Sequence, residues 1–200
     1  DYLAWSGADD FLYPDSIEKR LEHLRKTNSD IVVTGSDTQT RDGLLLYPSV
    51  PHHHMGLRDA DFSKLHASLL AGNFLQVPIL ANMRCVKFKD LYYNLSLHHF
   101  ADWEQQLRLS RIYQYAFLDE STGCSDWDGT NMSSPDPLKY PEKLRELCVV
   151  LGKQASILAS NKTTFHKAKL FLELLKTSIC RVLLVNKLSS KEARVSHASP

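Results

Sequence analysis

No two cysteines in this chain stand at C-x-x-C spacing, no apolar run approaches the length of a membrane-spanning helix, and neither sign of charge is in excess. The four cysteines, Cys85, Cys124, Cys148 and Cys180, lie far apart. That spacing argues against a zinc site and for a reducing compartment, with the thiols buried as small apolar side chains. A bilayer-spanning helix needs about 20 predominantly apolar residues, and no such stretch is present. Lys and Arg number 24 against 23 Asp and Glu, a net charge of +1. The whole chain therefore has no strong affinity for polyanions, and nucleic acid is not an expected partner. There is no internal repeat and no low-complexity tract. What the chain does have is a hydrophobic content of 43% and an aromatic content of 10%, enough for a sizeable core and too much for global disorder. A length of 200 residues fits one domain, or one domain with an extension.

The most informative stretch runs from Asp1 to Pro14, DYLAWSGADDFLYP. Tyr2-Leu3-Ala4-Trp5 reads as a short apolar strand. Small residues follow it, and then the adjacent carboxylates Asp9 and Asp10. A strand ending in such a turn presents its next side chains at the carboxyl edge of a sheet, where open α/β folds bind ligands. Crowded carboxylates are costly unless a cation or a set of donors neutralises them. Hard oxygen ligands suit Mg²⁺ or Mn²⁺, ions commonly shared with substrate phosphates. The alternative is a solvated Asp-Asp turn ahead of a helix N-terminus. Pro14-Asp15-Ser16 then predicts a helix start, with Asp15 or Ser16 as cap and Glu18 in the first turn. Ile17, Leu21 and Leu24 make one predicted apolar stripe on a helix ending near Asn28-Ser29. Asp30 to Gly35 is β-branched and reads as a strand. The order is strand, acidic turn, helix, strand.

The segment YLAWSGADDFLYPDSIEKRLEHLRKTNSDIVVTGSD resembles the middle of a family 2 glycosyltransferase with the GT-A fold. Members carry an apolar strand, a D-x-D-type acidic motif, a proline, a helix and a "D-I-V" strand. A second block also resembles the family: Asn73-Phe74-Leu75, Ala81-Asn82-Met83-Arg84, and Phe100-Ala101-Asp102-Trp103-Glu104-Gln105-Gln106-Leu107-Arg108-Leu109. A third, Gly129-Thr130-Asn131-Met132-Ser133, echoes the family's "H-x-g-N-x-S" tail. The resemblance implies an α/β fold, a partial GT-A (Rossmann-like) catalytic domain over residues 1–134. An α-helical, basic carboxyl-terminal extension would follow over residues 135–200. It implies an inverting transfer of a sugar from a UDP- or GDP-sugar donor to a hydroxyl of a glycan or lipid-linked acceptor, in polysaccharide or glycoconjugate synthesis. Asp9 would hold the divalent cation, Mn²⁺ or Mg²⁺. Asp9 and Asp10 would face the donor diphosphate, and Asp102 would be the catalytic base.

The departures from the family pattern are specific. The first aspartate of the D-x-D motif falls on Gly7, and the first acid of the family's Glu-Asp pair falls on Ala101. The tail's Arg and His positions fall on Asp126 and Asp128, reversing the charge expected beside a diphosphate. These changes favour an alternative, a non-catalytic glycosyltransferase-like interaction module. A third reading is an unrelated α/β domain whose Asp9-Asp10 binds a metal for phosphoester hydrolysis. The chain starts inside the strand that carries the motif, with no initiating Met. The corresponding expectation is the carboxyl-terminal portion of a longer protein, its parallel sheet short of its first strands.

Residues 38–62, with His52-His53-His54, read as a surface loop. Asp59 to Leu70 predicts a helix with Phe62, Leu65 and Leu69 inward. Val77 to Ala81 and Arg84 to Phe88 read as extended segments. Taken alone, Asp102 reads as a helix cap ahead of Trp103, Leu107 and Leu109. The resemblance instead makes it the base. Trp103 is either a core residue or a wall for a sugar ring, His98 and His99 are candidate acceptor contacts, and Glu104 and Arg108 form a helix-face pair. Tyr140 to Leu158 and Thr164 to Leu188 both read as helices. The second is basic and amphipathic, suited to docking on protein or on an anionic membrane surface. The expected location is the cytoplasm, with residues 164–188 as the contact surface for a partner or for the inner face of a membrane.

Overall fold

In this computed structural model, which describes residues 1–7, 10–40, 42–47, 62–71, 75, 79–127 and 139–160, the apolar run at Ile31 builds the centre of a mixed sheet. The elements in chain order are β1 (Tyr2–Trp5), β2 (Asp10–Leu12), α1 (Ser16–Thr27), β3 (Ile31–Gln39) and β4 (Leu45–Tyr47). They continue with α2 (Phe62–Ala71), β5 (Ile79–Asn82), α3 (Ala101–Leu109), β6 (Tyr115–Asp126) and α4 (Tyr140–Ser160). The sheet order is β1-β5-β3-β6-β2, with β4 also paired to β3. Ile31 to Ser36 are all buried, as a strand covered on both faces must be. Two units emerge from the packing: residues 1–69 with 73–134, and residues 70–72 with 135–200. In the second, α4 buries Leu147, Val150, Leu151 and Gln154. The helix read at 164–188 lies outside the described residues, as do the histidine run and Gly129 to Ser133.

The sheet is α/β and mixed rather than parallel. Among the described strands only β3 and β6 pair in parallel, while β5 runs antiparallel to both β1 and β3. β5 is thus inserted between the first strand of the expected strand–helix–strand unit and its last. Because β1 and β3 both oppose β5, they point the same way, and β6 points with them. The carboxyl ends of all three converge on one edge of the sheet. A bulge at Thr34 to Asp37 lets β3 follow β6 past Asp119 and Glu120. A buried hydroxyl pair, Thr34 Oγ1 to Thr122 Oγ1 at 2.6 Å, ties the strands beyond it.

α1 ends where its sequence indicates: Asn28 takes the left-handed conformation at φ 51° and closes on the carbonyls of Leu24 and Arg25. Its inward stripe, however, is rotated from the expected one. Ile17 is 44% exposed and Leu21 half-buried, while Ser16, Arg20 and Leu24 are buried. Leu24 packs with Val32, Leu80 and Ala116. The Arg20 guanidinium is held by its own helix, Nε to the Ser16 carbonyl at 3.1 Å and Nη2 to Ser16 Oγ at 3.0 Å. Nη1 has no partner, and burial lowers the group to about 10. Periodicity counts an arginine as outward-facing, but here a serine one turn earlier supplies the acceptors that let it turn in. Arg84 to Phe88 is also not extended. It forms turns that lead into a 3₁₀ segment, Phe88–Leu91.

On α2, Leu65 and Leu69 are buried as expected; the side chain of Phe62 lies outside the described set. His66 Nδ1 meets Ser110 Oγ at 3.1 Å. Burial, and then the charge of Arg111, push the imidazole down to about 4, with the Leu107 backbone opposing. The folded protein keeps His66 neutral to well below the pH at which an unfolded histidine, with a pKa of about 6.5, takes a proton. Between about pH 6.5 and 4 the unfolded chain binds more protons. Stability therefore falls as the pH falls, by up to about 1.4 kcal/mol per pH unit from this residue. His66→Gln is expected to flatten that dependence in urea unfolding between about pH 7 and 5. An unchanged slope would refute the assignment.

Candidate active site

The edge where β1, β3 and β6 end is acidic. After Trp5 the chain turns at Ser6 and Gly7, and Asp10 opens β2. The Gly7 N–H donates to Asp10 Oδ2 at 2.9 Å and the Asp10 N–H returns to the Gly7 carbonyl at 3.3 Å. One Asp10 oxygen is therefore committed to closing the turn. Asp9 lies outside the described residues. β2 pairs with β6 so that Asp10 faces Ser125. On β3, Asp37 Oδ2 accepts the Tyr13 hydroxyl at 2.5 Å, and on β6, Asp126 Oδ1 accepts from Gln39 Nε2 at 3.0 Å. Burial, together with the Asp37 carboxylate, raises the Tyr13 phenol to about 12. The buried Cys124 thiol reports the same field: burial pushes it up, and the charges of Asp37, Asp126 and Asp10 add to that. Asp128 lies outside the described residues.

α3 brings the second set of residues to this edge. Asp102 is in its first turn, where a carboxylate complements the helix dipole. It is not the cap, which is Phe100 with no side-chain bond. Asp102 Oδ1 accepts the Trp103 N–H at 2.7 Å. The carboxylate lines a cavity of about 100 Å³ together with Trp5, Ser6 and Gly7 from the end of β1, and with Tyr93 and Gln106. Burial raises the Tyr93 phenol; the Asp102 charge adds to the effect and the Trp5 indole opposes it. The cavity thus joins the first sequence block to the second, and Asp102 faces the turn that leads to Asp9.

Trp103 does not reach this cavity. Its indole is 3% exposed, donates to the Leu69 carbonyl at 2.7 Å and stands edge-on to Phe100. Of the two readings of Trp103 the core one holds, because a ring buried in this way has no face left for a sugar. His98 and His99 precede α3 in a bent segment, His98 exposed and His99 half-buried, and neither lines the cavity. Glu104 and Arg108 do pair, at 3.5 Å, but Glu104 is buried rather than surface-exposed.

The sequence reading left out the aromatic residues between β5 and α3. Phe88, Tyr92 and Tyr93, with Leu3, Trp5, Ser6, Leu91 and Gln105, line a second cavity of about 260 Å³. It shares Trp5, Ser6 and Tyr93 with the first. Phe88 and Tyr92 stand edge to face at 5.3 Å. Their backbone is clamped from α3 and the segment after it. Gln105 Nε2 donates to the Leu91 carbonyl, and Arg108 donates to the carbonyls of Asp90 and, at 2.7 Å, Tyr92. The Tyr113 hydroxyl donates to Asp90 Oδ2 at 2.6 Å and accepts the Lys87 N–H at 3.0 Å. The available signal was three aromatic rings in a polar segment with no strand or helix periodicity to bury them.

No family model matches the sequence, and no curated protein matches it. Among solved structures the fold is similar to S. aureus TarS, residues 1–349, in complex with UDP-GlcNAc. The TM-score is 0.49 at 13% identity, over 75% of this chain and 42% of that one. The chain thus spans less than half the length of the structure it matches.

Proposed function

We propose that this chain is the acceptor-side part of an inverting, nucleotide-sugar-dependent glycosyltransferase of the GT-A type. The observation that carries the reading is the shared cavity: Asp102 and the turn after β1, far apart in sequence, meet at the carboxyl edge of the sheet. These are the two blocks whose residues resemble the family, and the edge is where open α/β sheets bind ligands. In this reading Asp102 takes the proton from an acceptor hydroxyl while that oxygen attacks the anomeric carbon of the donor. The nucleoside diphosphate departs from the opposite face, so the configuration inverts.

A divalent cation belongs to the same proposal, although among the described residues Asp10, Asp37 and Asp126 do not gather closely enough to form a ligand set by themselves. Burial, and after it the charges of Asp37, Asp126 and Asp10, raise the Cys124 thiol at this edge, and a diphosphate would be repelled there without a counter-ion. Asp9 is proposed as the ligand, with Asp10 beside it. A bound Mn²⁺ or Mg²⁺ would offset the charge that develops on the leaving diphosphate. In this reading residues around the aromatic cavity help select the acceptor; neither His98 nor His99 lines it.

Calorimetric titration of UDP and GDP into the full gene product, with and without Mn²⁺, tests the reading. Nucleotide binding that depends on Mn²⁺ and is lost in Asp9→Ala is the expected result. A folded protein that binds neither nucleotide would overturn it in favour of the non-catalytic module.

A further inference from the structure

The aromatic cavity has properties that the acid–base chemistry of Asp102 does not require. Its rings are unusually open: Phe88 is 58% exposed, Tyr92 61% and Tyr93 43%. Such rings ordinarily pack inward, and holding them out demands a fixed backbone. Arg108, Gln105 and Tyr113 provide one by taking the carbonyls of residues 90–92 and the Asp90 carboxylate. The buried indole N–H of Trp5 is turned toward the Tyr93 hydroxyl, which helps fix the wall that the two cavities share.

Size and chemistry narrow the occupant. Pockets for drug-sized ligands run from roughly 300 to 1,000 Å³, so a cavity of about 260 Å³ suits a single ring rather than a nucleoside diphosphate. A pyranose presents axial C–H bonds on one face, which rest on aromatic rings, and hydroxyls at its rim, which seek donors and acceptors such as the Tyr93 and Ser6 hydroxyls that line the cavity. We propose that this cavity binds the terminal pyranose ring of a glycan acceptor, stacked on Phe88 and Tyr92. One of its hydroxyls then passes Trp5 and Tyr93 into the adjoining cavity that Asp102 lines. The inference rests on the glycosyltransferase reading and deepens it by naming the acceptor as a sugar, not a lipid or protein hydroxyl.

Saturation-transfer NMR on the full gene product tests this, with the methyl pyranosides of glucose, galactose, mannose and N-acetylglucosamine as probes. At least one is expected to receive saturation, strongest at the ring protons of one face. Aromatic contacts are worth about 0.5–1.5 kcal/mol, so Tyr92→Ala and Phe88→Leu should each weaken its binding by about two- to tenfold, whereas Tyr92→Phe should retain it. Both side chains are more than half exposed, and Phe88→Leu keeps the apolar bulk while losing the ring face. Saturation of none of the four sugars, in a protein that binds UDP or GDP with Mn²⁺, overturns the inference and leaves the reading standing. Sugar binding that Tyr92→Ala and Phe88→Leu leave unchanged also overturns it. Failure to bind either nucleotide or sugar overturns both.

Discussion

Asp102→Asn is expected to lower the rate of sugar transfer by about 10²–10⁴-fold, the usual contribution of a positioned general base, which corresponds to about 3–5 kcal/mol in the barrier. Donor binding should stay near the parent value, because Asp102 does not lie in the turn proposed to face the diphosphate. The amide is nearly isosteric and keeps an oxygen for the Trp103 N–H, whose bond to Asp102 Oδ1 is 2.7 Å. The start of α3 should therefore survive, and a loss of activity would report chemistry rather than folding. Tyr93 gives a second readout that needs no acceptor. The Asp102 carboxylate contributes to raising its phenol, so removing that charge should let the Tyr93 titration move down. Measuring kcat, nucleotide affinity by calorimetry and the phenol titration by ultraviolet absorbance covers all three. Turnover at the parent rate would remove Asp102 from the chemistry.

Arg108→Met should cost about 3 kcal/mol of folding stability, although the residue is 28% exposed and sits late in a short helix. Its guanidinium donates to the carbonyls of Asp90 and Tyr92 and pairs with Glu104, which is 2% exposed. Hydrogen bonds from charged groups contribute about 1.5–3 kcal/mol, and taking one partner from a buried carboxylate is costlier than losing a surface pair. Methionine keeps the aliphatic bulk but offers no donor to either carbonyl. Arg108→Lys should recover only part of the loss, since one ammonium cannot span both carbonyls with the planar fork of arginine. Urea unfolding would measure both variants. A loss below about 1 kcal/mol for Arg108→Met, the ceiling for exposed pairs, would show that the clamp is not structural.

The contrast between α1 and β6 shows how far sequence reading reaches. The two ends of α1 were legible, because Pro14-Asp15-Ser16 and Asn28 are local signals, but its inward face was not, since Ile17 is exposed and Arg20 buried. β6, the longest strand described, has no comparable signature. Asp119, Glu120 and Gly123 interrupt any alternation, and the strand exists because β3 and β2 pair with its two sides. Asp102 could be singled out from a motif, but its neighbours could not. Tyr93 and Trp5 belong to different segments that meet only through the sheet and α3. Arg20 and Trp103 show the same limit on the inward side. Whether an arginine or an indole is buried depends on whether an acceptor such as the Ser16 or Leu69 carbonyl stands within reach.

By itself, the sequence determined where the described helices fall, the central apolar strand and the acidic turn. Each of these follows from hydrogen bonding or side-chain periodicity within a few neighbouring residues. The tertiary structure alone decided that β5 separates β1 from β3, that β1, β3 and β6 end on one edge, that Tyr93 stands beside Asp102, and that Phe88 and Tyr92 line the adjoining cavity. Strand order and cavity walls depend on pairings between distant segments, and the energy of those pairings lies in contacts that no local pattern encodes.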